Sequence, residues 1–235
     1  MINKLCRRMF AFVPCSRCFR KSSYSQCGED IIISFIFETI KIKKPSYLDV
    51  GANHPFSLNN TFLFYKQGSR GINIEPDPFL HKQLCKLRPH DINLQLGIGC
   101  ERSISDFFVM STRTLNTFSR AEAEKNAAMW GHKIDDTIKV EINTINNIIN
   151  KYNNGISPDL LSIDAEGLDH SIIKSINYSE SKPKVICVET LEYTETGMPK
   201  KDQHIGSFLE TKGYFLFADT HINSIFVLRD LWVNR

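Results

Sequence analysis

The chain has 235 residues, of which 42% are hydrophobic and 23% are charged, and its formal net charge is +3 at pH 7. This length predicts one domain, and the composition is that of an ordinary globular protein, which excludes a chain that is disordered throughout. The longest apolar stretch, residues 31–37, is far shorter than the roughly 20 residues that cross a bilayer, which excludes a membrane-spanning helix.

Positive charge is concentrated at the N-terminus. Residues 1–21 carry six Lys or Arg and no acid, whereas the rest of the chain carries 23 bases and 26 acids. The apolar run at 9–13 is too short for a signal peptide and no cleavage site follows it, so we expect a cytoplasmic protein. We interpret residues 1–23 as a basic arm and residues 24–235 as the domain. The arm is either a solvated tail or a contact for an anionic membrane surface or a partner.

Four of the seven cysteines lie near the N-terminus. Cys15 and Cys18 have the spacing of a zinc knuckle, which Cys6 and Cys27 could complete. Structural zinc sites usually pair two such knuckles, and this sequence has one. Free, reduced cysteines in a cytosolic chain are therefore the favoured interpretation.

Helical and strand-like periodicities alternate along the rest of the chain. We predict helices over residues 29–41, 61–67, 78–87, 144–152, 168–176 and 205–212. We predict strands over residues 47–50, 71–75, 92–96, 105–110, 138–142, 160–164, 184–189, 214–219 and 224–228. This alternation predicts a Rossmann-like α/β fold, with a mainly parallel sheet flanked by helices. The last two strands are separated by a short turn and predict a C-terminal antiparallel hairpin.

Four of the predicted strands end in an acid, namely Asp49, Glu75, Asp164 and Glu189. In open α/β sheets, ligands bind outside the carboxyl ends of the strands. A single acid there is usually a helix cap or a turn residue. Four on one edge raise one another's pKa and predict a site for a cation or a polyol.

The loop after the first strand differs from a dinucleotide-binding loop. That fingerprint needs glycines at positions 53 and 56, which hold Asn53 and Phe56, so NAD and FAD are disfavoured. Gly51 lets the backbone pass close to a ligand, and Glu75 can accept both hydroxyls of a ribose. These features predict S-adenosylmethionine, which carries a ribose and a sulfonium cation but no phosphate.

Several short motifs follow one another between residues 24 and 189. They are YSQCGED at 24–30, DVGANHP at 49–55, NT at 60–61, FY at 64–65, GINIEPDP at 71–78, RP at 88–89, IG at 98–99, SIDAEGLD at 162–169 and PKVICVE at 183–189. With these motifs the sequence resembles the FkbM family of S-adenosylmethionine-dependent methyltransferases. It departs from the family pattern at Ser69-Arg70 and at Ala165. The resemblance implies the methyltransferase version of the Rossmann-like fold and O-methylation of a hydroxyl, commonly on a sugar or a secondary metabolite.

The resemblance also implies which residues bind the cofactor. Glu75 would hold the ribose, Asp77 would flank the adenine, and residues 97–99 would end the third strand near the adenine. Residues 25, 26, 29 and 30 either cap the first helix or help to close the site. The expected cofactor-binding residues are Asp49, Gly51, Asn53, Glu75, Asp77, Gly97, Ile98 and Gly99.

A hydroxyl is a poor nucleophile at neutral pH, so we expect a general base or a metal ion to assist the transfer. Asp164 and Glu166 lie two residues apart in an extended segment and could face one pocket. Such a pair suits either a base with a raised pKa or an Mg²⁺ site, although the acid–glycine turn could instead cap a helix. His54 is the third catalytic candidate, with a structural role as the alternative.

The expected partner is a small-molecule or glycan acceptor. Two other functions stay open at this point: a non-catalytic module that binds a cofactor or nucleotide, and an RNA methyltransferase that uses the basic arm. Outside the arm the chain is mildly acidic and has no aromatic and basic stripe, so no nucleic-acid partner is expected. The sequence does not predict an oligomeric state.

Overall fold

The fold is built from helices and strands that alternate along the chain. The structure is a computed structural model that describes residues 21–165, 167–192 and 200–235. The helices are α1 Glu29–Thr39, α2 Phe62–Lys66, α3 Pro78–Leu87, α4 Arg120–Trp130, α5 Ile145–Tyr152, α6 Asp169–Ser175, α7 Gln203–Thr211 and α8 Arg229–Val233, with a 3-10 turn at Arg113–Leu115. The strands are β1 Tyr47–Val50, β2 Gly71–Ile74, β3 Ile92–Leu94, β4 Gly97–Ile98, β5 Ser103–Met110, β6 Ile134–Asn143, β7 Leu160–Ile163, β8 Val185–Glu189, β9 Leu191–Glu192, β10 Lys200–Lys201, β11 Tyr214–Asp219 and β12 Asn223–Leu228.

The central sheet has the strand order β11-β12-β8-β7-β1-β2-β3. The five strands from β8 to β3 are parallel to one another, and β12 lies antiparallel between β8 and β11. Strands β1 and β7 are buried along their whole length, because helices cover both faces of a parallel sheet. The predicted α/β class, the mainly parallel sheet and the C-terminal antiparallel hairpin are therefore confirmed.

Two apolar layers sandwich this sheet. One layer joins alternate strand residues, such as Leu48 and Leu161, to isoleucines of α5 and α6. The other joins Tyr47 and Leu160 to α1 and to Phe64 of α2. Because successive strand residues point to opposite faces, Asp49 in β1 shares the face of Tyr47. A row of polar side chains therefore crosses the sheet beneath α1 and α2, at the register positions Asn73, Asp49, Ser162 and Cys187.

A second, smaller sheet was not predicted. Strand β6 pairs with β4 in parallel and with β5 antiparallel. The prediction of a third strand that ends at residue 96 was too long, since β3 ends at Leu94, and Gly97 and Ile98 belong to β4 in the second sheet. A Cβ on Gly97 would lie 2.5 Å from Phe118 Cζ, so glycine lets β4 pack closely there.

The basic arm and its cysteines fall almost wholly outside the described residues. Cys6, Cys15 and Cys18 are not described, and Cys27 is a free, exposed thiol. Within the described ranges, every helix is too short or too polar to cross a bilayer.

Candidate active site

The carboxyl ends of four adjacent strands form one edge of the central sheet. Asp49 lies near the end of β1, Glu75 follows β2, Asp164 follows β7, and Glu189 ends β8. These four strands are neighbours and run in the same direction, so their acids lie along one edge. The predicted placement of the acids is therefore confirmed.

The loop after β1 is pinned between the strands on either side. The N–H groups of Gly51 and Ala52 both donate to the carbonyl of Ile74 at 3.0 Å, and Asp164 N donates to Val50 O at 3.0 Å. A Cβ on Gly51 would lie 1.9 Å from Asp164 O, and its φ is +76°. Glycine is required here because two loops of the protein itself meet at this point.

Glu75 is a buried carboxyl with a spare acceptor site on each oxygen. It is 4% exposed, its Oε2 accepts from Asn53 N at 2.7 Å, and its Oε1 accepts from Asp77 N at 2.8 Å. Burial raises the pKa of Glu75 to about 8, although the two N–H bonds act in the opposite direction. Each carboxylate oxygen has two lone pairs, so the group can also accept hydroxyl donors.

The Asp49 side chain lies on the face of the sheet that α1 and α2 cover, where hydrogen bonds hold it in place. Its Oδ2 accepts from the Thr61 hydroxyl at 2.7 Å and from Asn59 Nδ2 at 3.3 Å, and Ser162 also bonds to the carboxyl. Burial raises the pKa of Asp49, while the Arg88 charge and the hydrogen bonds oppose that rise.

Arg88 joins this network from α3's C-terminal end. Its guanidinium is fully buried, donates to Asn59 Oδ1 at 3.2 Å and to the Thr61 hydroxyl at 3.0 Å, and pairs with Asp91 at 2.8 Å. Asn59 was not singled out from the sequence. Thr61 and Arg88, which belong to two of the family motifs, thus hold Asp49 in place from the face of the sheet that α1 and α2 cover.

The Asp77 side chain is hydrogen-bonded to other groups of the protein. It is fully buried, caps α3 by accepting from Phe79 N at 2.7 Å, and binds Asn116 Nδ2 at 2.8 Å and Arg113 Nη1. The dipeptide Asp77-Pro78 is a sequence signal for a helix start that indicates this capping role. Contact of Asp77 or of residues 97–99 with an adenine stays a prediction.

Asp164 lies at the open side of the edge. Its side chain is exposed, yet the surrounding protein and the charges of Asp169 and Asp49 raise its pKa to about 7, against a hydrogen bond with Glu189 that lowers it. Water reaches this side chain and screens part of the effect, so the direction of the change carries the argument. A carboxyl with a raised pKa is suited to accept a proton near neutral pH.

The sequence family described as the Methyltransferase FkbM domain matches residues 49–216. This chain belongs to the FkbM methyltransferase family. The match confirms the resemblance seen in the sequence, and membership of the family implies S-adenosylmethionine as the cofactor. No curated protein matches the chain.

Solved methyltransferase structures resemble this FkbM family member at low sequence identity. An FkbM methyltransferase from Methylobacillus flagellatus is 14% identical with a TM-score of 0.48, over 79% of this chain and 44% of that one. A TehB-like SAM-dependent methyltransferase from Corynebacterium glutamicum is 10% identical with a TM-score of 0.44, over 96% and 97% of the two chains. The putative methyltransferase YhhF from Escherichia coli is 11% identical with a TM-score of 0.41, over 90% of each chain. This chain thus spans less than half the length of the Methylobacillus protein.

The other catalytic candidates of this FkbM protein have different outcomes. Glu166 lies outside the described residues, so its pairing with Asp164 stays a prediction. His54 Nδ1 accepts from Ser57 N at 3.1 Å and from Phe56 N at 3.4 Å, and burial lowers the His54 pKa. A ring nitrogen that already holds a turn together supports the structural alternative for His54 rather than a role as base.

Two acids at the start of α1 fasten neighbouring segments of the FkbM domain. Glu29 is fully buried and binds Thr220, Asn223 Nδ2 and Cys27 N at 2.7, 3.0 and 2.8 Å. Asp30 accepts from both the hydroxyl of Ser23 and the N–H of Tyr24, and Ser25 also donates to it. Gln26 is exposed. These contacts fix residues 23–28 and the β11–β12 turn, and a role in closing the site stays a prediction.

Metal ligands were a further expectation for this FkbM site. Among the described residues, no group of three or more His, Cys, Asp or Glu side chains could hold a metal ion. The Mg²⁺ option therefore gains no support from them.

Proposed function

We propose that this chain is an S-adenosylmethionine-dependent O-methyltransferase whose acceptor is a hydroxyl of a sugar, a glycan or a secondary metabolite. Family membership supports methyl transfer, and the observation that carries the cofactor assignment is Glu75. It lies at the end of β2, its two oxygens are oriented by Asn53 N and Asp77 N, and each keeps a lone pair for a ribose hydroxyl.

The remaining groups of the edge fit the same cofactor. When bound, S-adenosylmethionine supplies a methyl group activated by a sulfonium cation. Asp49 on the neighbouring strand β1 and Asp164 after β7, one strand further, add negative charge along the same edge, and negative charge favours a cation. The loop that follows β1 has the glycine Gly51 but lacks the further glycines that cradle a pyrophosphate.

The chain's own contribution to transfer is alignment and proton removal. Holding the hydroxyl in line with the methyl carbon is worth about 7–11 kcal/mol of the barrier. Asp164 is the group we assign as base, because it is open to the edge and its pKa is raised. Its carboxylate takes the hydroxyl proton as the new oxygen–carbon bond forms.

A labelled-methyl assay tests the proposal. Methyl transfer from S-adenosylmethionine is measured for a panel of sugars, oligosaccharides and phenols beside amine acceptors, with wild type and Asp164→Asn. We expect transfer to a hydroxyl acceptor and a loss of about 10²–10⁴-fold in kcat for the variant. Transfer to amines alone would contradict O-methylation. Cofactor binding without transfer to any acceptor would favour the non-catalytic module.

A further inference from the structure

The loop between β1 and α2, residues 53–60, is anchored at both ends to groups of the carboxyl edge. At its start, Asn53 N donates to the Glu75 carboxyl at 2.7 Å. At its end, Asn60 Nδ2 donates to Ser162 Oγ in β7 at 3.3 Å. The β1–α2 loop therefore runs along the edge from the acid assigned to the cofactor ribose toward the strand that leads to the assigned base.

Hydrogen bonds within the protein also fix the shape of the β1–α2 loop. Asn59 Nδ2 donates to Ala52 O at 2.9 Å, and Asn59 Oδ1 accepts from Phe62 N at 2.8 Å. His54 Nδ1 accepts from Ser57 N at 3.1 Å. A loop that is ordered before a ligand arrives loses little conformational entropy on binding, so its side chains are preorganised.

This ordered loop leaves its two largest apolar side chains in contact with water. Phe56 is 43% exposed and Leu58 is 56% exposed. Leu58 has a φ of +55°, a left-handed conformation that is uncommon for a bulky residue. The Phe56 ring packs against His54 and Phe62, with centroids 4.4 and 5.8 Å apart, and the rest of the ring is open. An open aromatic ring on a fixed loop beside polar groups is typical of a ligand site.

We propose that Phe56 is an acceptor-binding residue, and that the C–H face of a pyranose ring packs against its aromatic ring. This role rests on the proposed O-methyl transfer and narrows the acceptor to a sugar. Phe56 touches the acceptor and takes no part in proton transfer, which is assigned to Asp164. The loop thus determines which acceptor is held at the edge.

The two kinds of surface at this edge match the two kinds of surface on a sugar. A pyranose has C–H groups of slight positive charge on its face, and the face of an aromatic ring is negative. Its rim carries several hydroxyls, and carboxylates accept hydrogen bonds from hydroxyls. Phe56 supplies the ring, and Asp164 supplies an exposed carboxyl on the same edge. A phenol could pack on the ring but has no rim of hydroxyls for the acids.

Saturation-transfer NMR tests this binding without methyl transfer. The probes are the methyl pyranosides of glucose, galactose, mannose and N-acetylglucosamine, with 4-methoxyphenol as the aromatic probe, each titrated with and without S-adenosylhomocysteine. We expect at least one pyranoside to bind wild type and Phe56→Tyr, which keeps the ring. Its affinity for Phe56→Leu should be about 5- to 10-fold weaker.

Phe35→Leu is the matched control for this experiment. Phe35 lies on α1 and is exposed to a similar extent, 52%, so the same substitution there should leave sugar binding as in wild type. Unchanged thermal unfolding shows that each variant is folded.

Three results would overturn the proposal: equal affinity of wild type, Phe56→Leu and Phe35→Leu for the pyranoside, no binding of any pyranoside to wild type, or binding of the phenol alone. A lower molar mass of Phe56→Leu in sedimentation equilibrium, with unchanged sugar binding, would instead assign the loop to a contact between two copies of the chain. Sugar binding that depends on Phe56, without transfer in the labelled-methyl assay, would contradict O-methylation and leave the role of Phe56 standing. The two proposals therefore fail separately.

Discussion

Burial of Glu75 makes the stability of the protein depend on pH in a defined direction. Its carboxyl has a pKa of about 8 in the folded chain, against an ordinary value of 4.5. A group with a raised acid pKa binds its proton more tightly when folded, so it stabilises the fold at low pH. That contribution is fully present below pH 4.5 and is lost as the pH rises to about 8.

The magnitude follows from the same two values. A difference of about 3.5 pH units, at about 1.36 kcal/mol each, gives about 5 kcal/mol of unfolding free energy lost across this range. Glu75→Gln does not titrate, but its amide would place an N–H₂ group against Asn53 N or Asp77 N. That mismatch costs about 1–3 kcal/mol at every pH. The variant is thus less stable than wild type at pH 5 and more stable at pH 9.

Urea unfolding at pH 5, 7 and 9, without cofactor, measures this difference. We expect the wild type to lose stability relative to Glu75→Gln as the pH rises. Glu101→Gln makes the same change at an exposed carboxyl and is the matched control. A difference between wild type and Glu75→Gln that is constant from pH 5 to pH 9 would refute the reasoning.

Three further predictions concern packing and hydrogen bonding. Gly51→Ala should destabilise the fold more than Gly28→Ala, because both glycines have positive φ but only the Gly51 methyl meets a neighbouring carbonyl, and equal thermal shifts would contradict this. Arg88→Met leaves the carboxylate of Asp91 buried without its ion partner, so urea unfolding should show a loss of about 3–5 kcal/mol. The hydrogen bonds of Glu29 lower its pKa below the ordinary value of 4.5, although burial acts in the opposite direction. Its ionised carboxyl therefore stabilises the fold above pH 4.5, and this stabilisation is lost as the pH falls. The loss of unfolding free energy in Glu29→Gln should thus be constant above pH 4.5 and become smaller at lower pH, as measured by acid unfolding.

Strands and helices that are marked by short apolar runs or by local caps could be predicted from the sequence. Strand β1 has the predicted bounds because its short, mostly apolar run is buried along its whole length. Helix α3 has the predicted bounds because it begins with a Pro directly after a capping acid. Helix α4 was missed because, among its described side chains, only the small Ala123 is buried, so apolar periodicity is absent. The short strand β4 was joined to β3 because only two residues separate them.

The candidate site was predictable in part. Acids at strand ends identify the edge, because parallel strands bring their carboxyl ends together. Contacts between distant parts of the chain were not readable, as with Glu29 and Asn223, which are 194 residues apart. The burial of Arg88 behind Asp49 could not be predicted either, since a single arginine in a sequence is usually exposed.

Calorimetric titration with S-adenosylhomocysteine tests the central claim most directly, with wild type, Glu75→Ala and the exposed-site control Glu101→Ala. The account predicts micromolar binding to wild type and to the control, a loss of at least about 10-fold in Glu75→Ala, equivalent to about 1.4 kcal/mol, and no binding of NAD. Equal affinity of the three proteins for S-adenosylhomocysteine, or tight binding of NAD, would contradict the assignment of Glu75 and of the cofactor edge.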